Sequence, residues 1–156
     1  KHVRHIIDHY SALLSATDAP GVLLDYESRD RNLSLETDRR AGAHQLSETL
    51  RTLRCRFSAK HSDELAMLHT SDEQAQVATT SVVRELVFLA SHTIHHMAII
   101  GMLAEQAGVE VNADFGVHPS TLRYLQRQAT GMARSASAKA RTCVSGMDSS
   151  NPSSPV

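Results

Sequence analysis

Residues 81–108, SVVRELVFLASHTIHHMAIIGMLAEQAG, carry the longest apolar pattern in the chain and decide how it folds. At about 100° per residue, Glu85, Phe88, Leu89, His92, His96, Ile99, Ile100 and Leu103 fall on one face of a helix. His92 and His96 therefore point where core residues point, one turn apart. Two imidazoles so placed can share one metal ion or one hydrogen-bond network. Ser81 stands where an N-cap belongs, and Gly108 where a left-handed C-cap would end the helix.

A second histidine-bearing segment opens the chain. KHVRHIIDHYSALLSA, residues 1–16, places Val3, Ile6, Ile7, Tyr10, Leu13 and Leu14 at helical spacing, with His2, His5 and His9 along the flank of that stripe. This helix starts at Lys1 without a capping residue, from which a missing upstream segment is expected. Residues 17–33, with Pro20-Gly21 and the charged run from Asp25 to Asn32, read as a long loop. Ser34 is the expected N-cap of a third helix, Glu36 and Asp38 lie in its first turn, and Ala43, Leu46, Leu50, Leu53 and Phe57 form a narrow apolar stripe. Between about residues 64 and 80 the helical period fails, and a short hairpin and a loop are equally compatible with the sequence. Pro119 and Ser120 open a short helix to about Gln128, anchored by Leu122 and Leu125. From Gly131 onward Ser, Ala and Pro dominate, a composition that buries too little apolar surface to offset its ordering entropy.

Composition narrows the function classes. A chain of 156 residues with 41% hydrophobic content suits one domain of modest core. The net charge of -1 and the mixed signs along the chain argue against a nucleic-acid partner. Ser91, His92, His95 and His96 interrupt the apolar run, so no membrane span and no signal peptide are expected. Cys55 and Cys143 make no redox or metal spacing, and a cytoplasmic protein is the expectation. Against this background, 10 histidines with no tryptophan stand out, six of them in two helices.

Two His-x-x-x-His pairs on different helices, His5 with His9 and His92 with His96, are an arrangement from which bundles build divalent-metal sites with open positions. Thr93 stands where a zincin helix needs its glutamate, which disfavours peptidase chemistry. The competing reading is a core of hydrogen-bonded imidazoles, because buried polar groups are as a rule simply satisfied. His44, His61, His69, His95 and His118 read as structural or solvent-exposed.

The segments HVRHIIDHY, LDYESRDRN, TSVVRELVFLASHTIHHMAII and DFGVHPSTLRYL, in this order, resemble the DinB-like family of bacterial four-helix-bundle proteins, over roughly residues 1–125. The resemblance implies an all-α, up-down helical bundle that lacks its first helix here, spanning residues 1–129 and followed by a disordered tail, 130–156. It also implies a divalent metal ion (zinc, nickel, iron or manganese) held by three histidines, matching His5, His92 and His96, with His9 competing for the first position. Some relatives are thiol-dependent S-transferases or isomerases and others are metal-binding components, so fold alone does not fix the reaction. Two readings follow. One is a metal-binding protein, a candidate S-transferase for a low-molecular-weight thiol and a small electrophile. The other is a metal-free helical binding or interaction module with a structural histidine core. No catalytic residue and no organic cofactor site are assigned. Glu85 is expected to support the histidines from behind rather than to ligate; Asp8 reads as a solvated surface carboxylate, with orienting His5 or His9 the alternative, and Tyr26, Arg29 and Arg31 as solvated loop residues, with contact to an anionic substrate the alternative. An exposed apolar helix face would favour a homodimer.

Overall fold

The computed structural model describes residues 1–28, 31–58, 64–71 and 74–130. They fall into two compact units, Lys1–Gly116 and a second that begins at Val117. Arg29, His61, Cys143 and the expected disordered tail beyond Thr130 lie outside the described residues.

In the first unit, helix α1 spans His2–Ala16 and buries Ile6, Ile7, Leu13 and Ala16, while Val3 is exposed. Helix α4, Val82–Gln106, packs against it. Leu13 and Leu89, both fully buried, meet near one end of the pair; His5 and His92, then His2 and His96, meet progressively farther along, so the two helices run antiparallel. Both expected ends of α4 are present. Ser81 accepts from the Arg84 amide at 3.3 Å. At the other end the Val109 amide bonds the Ala104 carbonyl at 2.9 Å and the Gly108 amide bonds the Glu105 carbonyl at 3.0 Å, with Gly108 at φ 74°. That bond pair is a Schellman cap, and the positive φ it requires suits glycine. After the cap the chain folds back on α4: Gly116 lies so close to Ala98 that a side chain there would collide with the helix backbone.

The segment after α1 differs from the expected plain loop. Leu24–Asp25 forms strand β1, which pairs in parallel with β2, Glu64–Ser71. β2 pairs antiparallel with β3, Gln74–Ser81, from Glu64 opposite Ser81 to Ser71 opposite Gln74. Of the two readings left open for residues 64–80, the hairpin holds, and the three-stranded sheet corrects the expectation of an all-α chain. The reason lies in packing. Leu24 is completely buried with Leu13, Ala16 and Leu89, and Leu65 and Met67 of β2 close over that cluster. A two-residue strand whose partner lies some forty residues away has no local signature in the sequence.

The third helix also begins later than expected. Ser34–Thr37 is a separate turn, α2, and α3 runs Arg39–Arg56. Asp38 has extended backbone, φ -106° and ψ 108°, and its carboxylate accepts from the amides of Arg40 and Ala41, so Asp38 and not Ser34 is the N-cap. Asp38→Ala is expected to lower stability by about 1 kcal/mol, read as a shift of the urea midpoint without change of slope. α3 packs on α1, its buried residues are Gly42, close against the Leu35 carbonyl of α2, and Thr49, and Arg56 donates to the Leu14 carbonyl of α1 at 2.7 Å. Of the predicted stripe, Leu53 and Phe57 are half-buried, while Ala43, Leu46 and Leu50 are exposed. Arg4 ties α1 to α2 by bonding Glu36 at 2.6 Å and Asp8 at 2.5 Å. That hydrogen bond from Arg4 holds the Glu36 carboxyl below the usual carboxylate range.

α4 also departs from the expectation of no membrane-length segment. Among the described residues it is the one helix long and apolar enough to cross a membrane by length and composition, and 11% of its most apolar window is buried. Val83, Val87, Met102 and Leu103 are exposed on it. The four interrupting polar residues break the run without lowering its average enough to fail that criterion. In the second unit, residues 119–130 are helical, as the Pro119-Ser120 signal predicts; Leu122 is half-buried, but Leu125, expected as an anchor, is exposed.

Candidate metal centre

Antiparallel packing of α1 on α4 converts two separate His-x-x-x-His spacings into one cluster. His5 and His92 face each other with Nε2 atoms 3.1 Å apart. The His9 ring lies 4.3 Å from that of His5 and 4.5 Å from that of His92, centroid to centroid. His5, His9 and His92 each offer one ligand nitrogen within 4.8 Å of the others. His96 is 4.6 Å from both His5 and His92 by ring centroids, so the three histidines expected from the sequence, His5, His92 and His96, do come together, and His9 stands among them.

The donor set fits a divalent ion. Metal–nitrogen bonds of about 2.0–2.1 Å at angles of about 90–110° separate ligand nitrogens by about 2.9–3.4 Å, a range that contains the His5–His92 spacing. His9 is buried, and its Nδ1–H donates to the His5 carbonyl at 2.8 Å. This bond fixes the tautomer with the proton on Nδ1 and leaves Nε2 as the acceptor nitrogen, the usual way a ligating imidazole is oriented. Burial first, and then His92, His2 and His95 around it, hold His96 below the ordinary histidine value, which favours the neutral ring that metals require.

Behind the histidines stands an aromatic and acidic layer. Tyr26, just past β1, stacks on His9 with ring centroids 5.2 Å apart and planes 24° from parallel. Phe88 stacks on His92 at 5.6 Å. The Tyr26 hydroxyl donates to Glu85 Oε2 at 2.9 Å, and Glu85 Oε1 accepts from Thr80 at 2.5 Å and Arg84 at 2.7 Å. Glu85 thus supports the site as the sequence suggested, but through Tyr26. Burial, followed by the Glu85 charge, pushes the Tyr26 phenol well above its ordinary range, so it remains a hydrogen-bond donor. The alternative role of Tyr26 toward an anionic substrate gives way to this one, because Glu85 engages its hydroxyl. Tyr26→Phe is expected to cost about 1 kcal/mol of stability. With the His9 support loosened, divalent-metal affinity should fall about tenfold in a competition titration.

Asp8 is a buried partner of Arg4 and not a solvated surface carboxylate. Arg31 and His95 are exposed, His44 is exposed on α3, His69 sits 3.5 Å from Glu27, and His118 bonds Ser120 at 2.7 Å. Sequence reasoning passed over His2, whose Nδ1 lies 3.0 Å from His96 Nδ1. Its signal was the His-x-x-His spacing to His5.

The DinB family model matches residues 1–123. The chain belongs to the DinB family. Membership and the convergent cluster of His5, His9 and His92 are together compatible with metal binding. The chain is also 31% identical over 109 residues to FK506-binding protein 5 of Rhizopus delemar, a match covering 68% of this chain and 28% of that protein. It therefore spans little more than a quarter of that relative's length. No solved structure matches the chain.

Proposed function

We propose that this DinB-family chain binds one divalent metal ion, zinc, nickel, iron or manganese, between α1 and α4 and serves as a thiol-dependent S-transferase. The observation that carries the reading is the convergence of His5, His9 and His92. His9 is favoured over His96 as the third ligand because its Nδ1 is already anchored on the His5 carbonyl. Three neutral imidazoles leave coordination positions for solvent or substrate, and a metal so bound lowers the pKa of a thiol placed on it. The chain's own residues hold and orient: His5 and His92 oppose each other across the helix pair, Tyr26 and Phe88 fix the rings of His9 and His92, and Glu85 fixes Tyr26. The partners in this reading are a low-molecular-weight thiol and a small electrophile, the compartment is the cytoplasm, and two copies associate through exposed apolar residues of α4.

The second reading, a metal-free interaction module, is favoured by the same 3.1 Å spacing, which also suits an N–H···N hydrogen bond between His5 and His92. Elemental analysis of untagged protein separates the two. Near-stoichiometric metal that His5→Ala, His9→Ala and His92→Ala each remove supports the first reading; metal-free protein overturns it. Consumption of bacillithiol, mycothiol or glutathione with a generic electrophile then tests transfer, and turnover that does not follow metal content rejects the S-transferase assignment.

A further inference from the structure

Strand β3 forms one edge of the small sheet and, among the described residues, pairs on one side only, with β2. An edge strand leaves alternate backbone amides and carbonyls unpaired, and proteins as a rule shield such edges with charged residues, proline or a bulge. β3 carries none of these. Gln74 to Ser81, QAQVATTS, holds no charged residue and no proline, and its pairing with β2 runs one for one without a bulge. Gln74 to Thr79 are exposed, so no described loop or helix covers this stretch of the edge. We propose that β3 pairs antiparallel with β3 of a second copy of this chain, with Val77 at the two-fold axis.

Occupant and register follow from the strand itself. A two-fold axis perpendicular to a sheet places partners on the same face, so the central residue meets its own counterpart. Leu65 and Met67 turn toward the core, and their partners Thr80 and Ala78 share that face; Val77, opposite Leu68, lies on the other. Val77 is the large apolar residue of the exposed stretch, 62% exposed. Centred there, it faces Val77 of the partner subunit, a β-branched pair withdrawn from water, and Ala75 faces Thr79 of the partner subunit. Charge favours a second copy as the occupant: over its whole length the uncharged strand sets no like charges against each other when it pairs with itself. With Gln74 to Thr80 overlapping, two copies exchange about six backbone hydrogen bonds, against about 10 in a typical stable interface, so the dimer is weak and reversible. The contact uses neither the histidine cluster nor the apolar residues of α4, and it does not rest on the proposed metal site.

The test is sedimentation velocity of the whole chain from micromolar to millimolar concentration. Val87→Glu, at an exposed position of α4, is present throughout, so that apolar association of that helix does not stand in for the β3 contact. With β3 unchanged, a concentration-dependent equilibrium of monomer and dimer is expected, and amides of residues 74–80 should gain protection from hydrogen exchange as the dimer forms. Adding Val77→Lys sets two ammonium groups face to face and should weaken the dimer at least about tenfold. Val77→Thr, uncharged and β-branched, should retain it. Both changes are at an exposed position, and an unaltered thermal midpoint at low concentration checks that the monomer is intact. A monomer at every concentration with β3 unchanged, or a dimer indifferent to Val77→Lys, overturns the proposal. Association of the wild type that Val87→Glu alone abolishes belongs to α4 and likewise rejects the β3 contact.

Discussion

His92→Ala is expected to abolish the thermal stabilisation that a divalent metal confers on the wild-type chain. A ligand that binds only the folded state at about a hundred times its dissociation constant stabilises that state by about 2.7 kcal/mol. For a unit of this size that corresponds to about 10 °C in the unfolding midpoint. Removing metal with a chelator should therefore lower the wild-type midpoint by about that amount and leave His92→Ala unmoved. His92 is the informative position because it faces His5 at 3.1 Å and lies within ring contact of both His9 and His96, so its loss removes a ligand from the triplet completed by His9 and from the one completed by His96. His9→Ala and His96→Ala then distinguish the third ligand: the variant that loses the chelator response identifies it. Equal chelator shifts in wild type and His92→Ala would place the stabilising metal elsewhere and remove the basis of the proposed function.

How much of this was legible in the sequence depends on how local the deciding interaction is. α4 and both its ends could be read because Ser81, Gly108 and a 3.6-residue period are signals carried within the helix itself. The two histidine pairs were visible for the same reason, since i and i+4 spacing needs no knowledge of the rest of the fold. β1 was not visible. Its two residues become a strand only because Leu24 fills the core against Leu13 and Leu89 and thereby meets Met67. The start of α3 was misplaced from Asp38 to Ser34 because both residue types cap helices, and the break between α2 and α3 is fixed by the extended backbone at Asp38. The apolar stripe of α3 was legible as a stripe, but only Leu53 and Phe57 of it are half-buried. A pattern gives a face but does not supply its cover, and the residues that α3 buries are Gly42 and Thr49.

The candidate site follows the same division. The gathering of His5, His9, His92 and His96 follows from two periodic helices packing together. The choice between His9 and His96 rests on which ring nitrogen the backbone occupies, and the His5 carbonyl that holds His9 Nδ1 belongs to helix geometry at a level periodicity does not reach. Tyr26 comes from the segment after β1, so its stacking on His9 is a consequence of the small sheet and could not precede knowledge of it.

That dependence makes Glu85 the residue through which sheet and site are joined. Its side chain is fully buried and accepts three hydrogen bonds, from Tyr26 beside β1, Thr80 on β3 and its neighbour Arg84. Glu85→Ala leaves two hydroxyls without their acceptor and opens a cavity beside Leu89, while Arg84, 58% exposed, regains water at little cost. Two orphaned hydroxyls at about 1 kcal/mol each and the lost packing sum to about 3 kcal/mol of destabilisation, measured by urea unfolding. Glu85→Gln preserves volume and one carbonyl oxygen but turns an amide donor toward the other hydroxyl, so about half that loss is expected. Both variants should also weaken divalent-metal binding, because an unheld Tyr26 no longer fixes the His9 ring, and Tyr26→Phe combined with Glu85→Gln should weaken it little more than either change alone. A Glu85→Ala variant within about 0.5 kcal/mol of wild type would show that the carboxylate is dispensable to the fold, and additive losses of affinity in the double variant would show that Glu85 acts on the histidines by a route other than Tyr26.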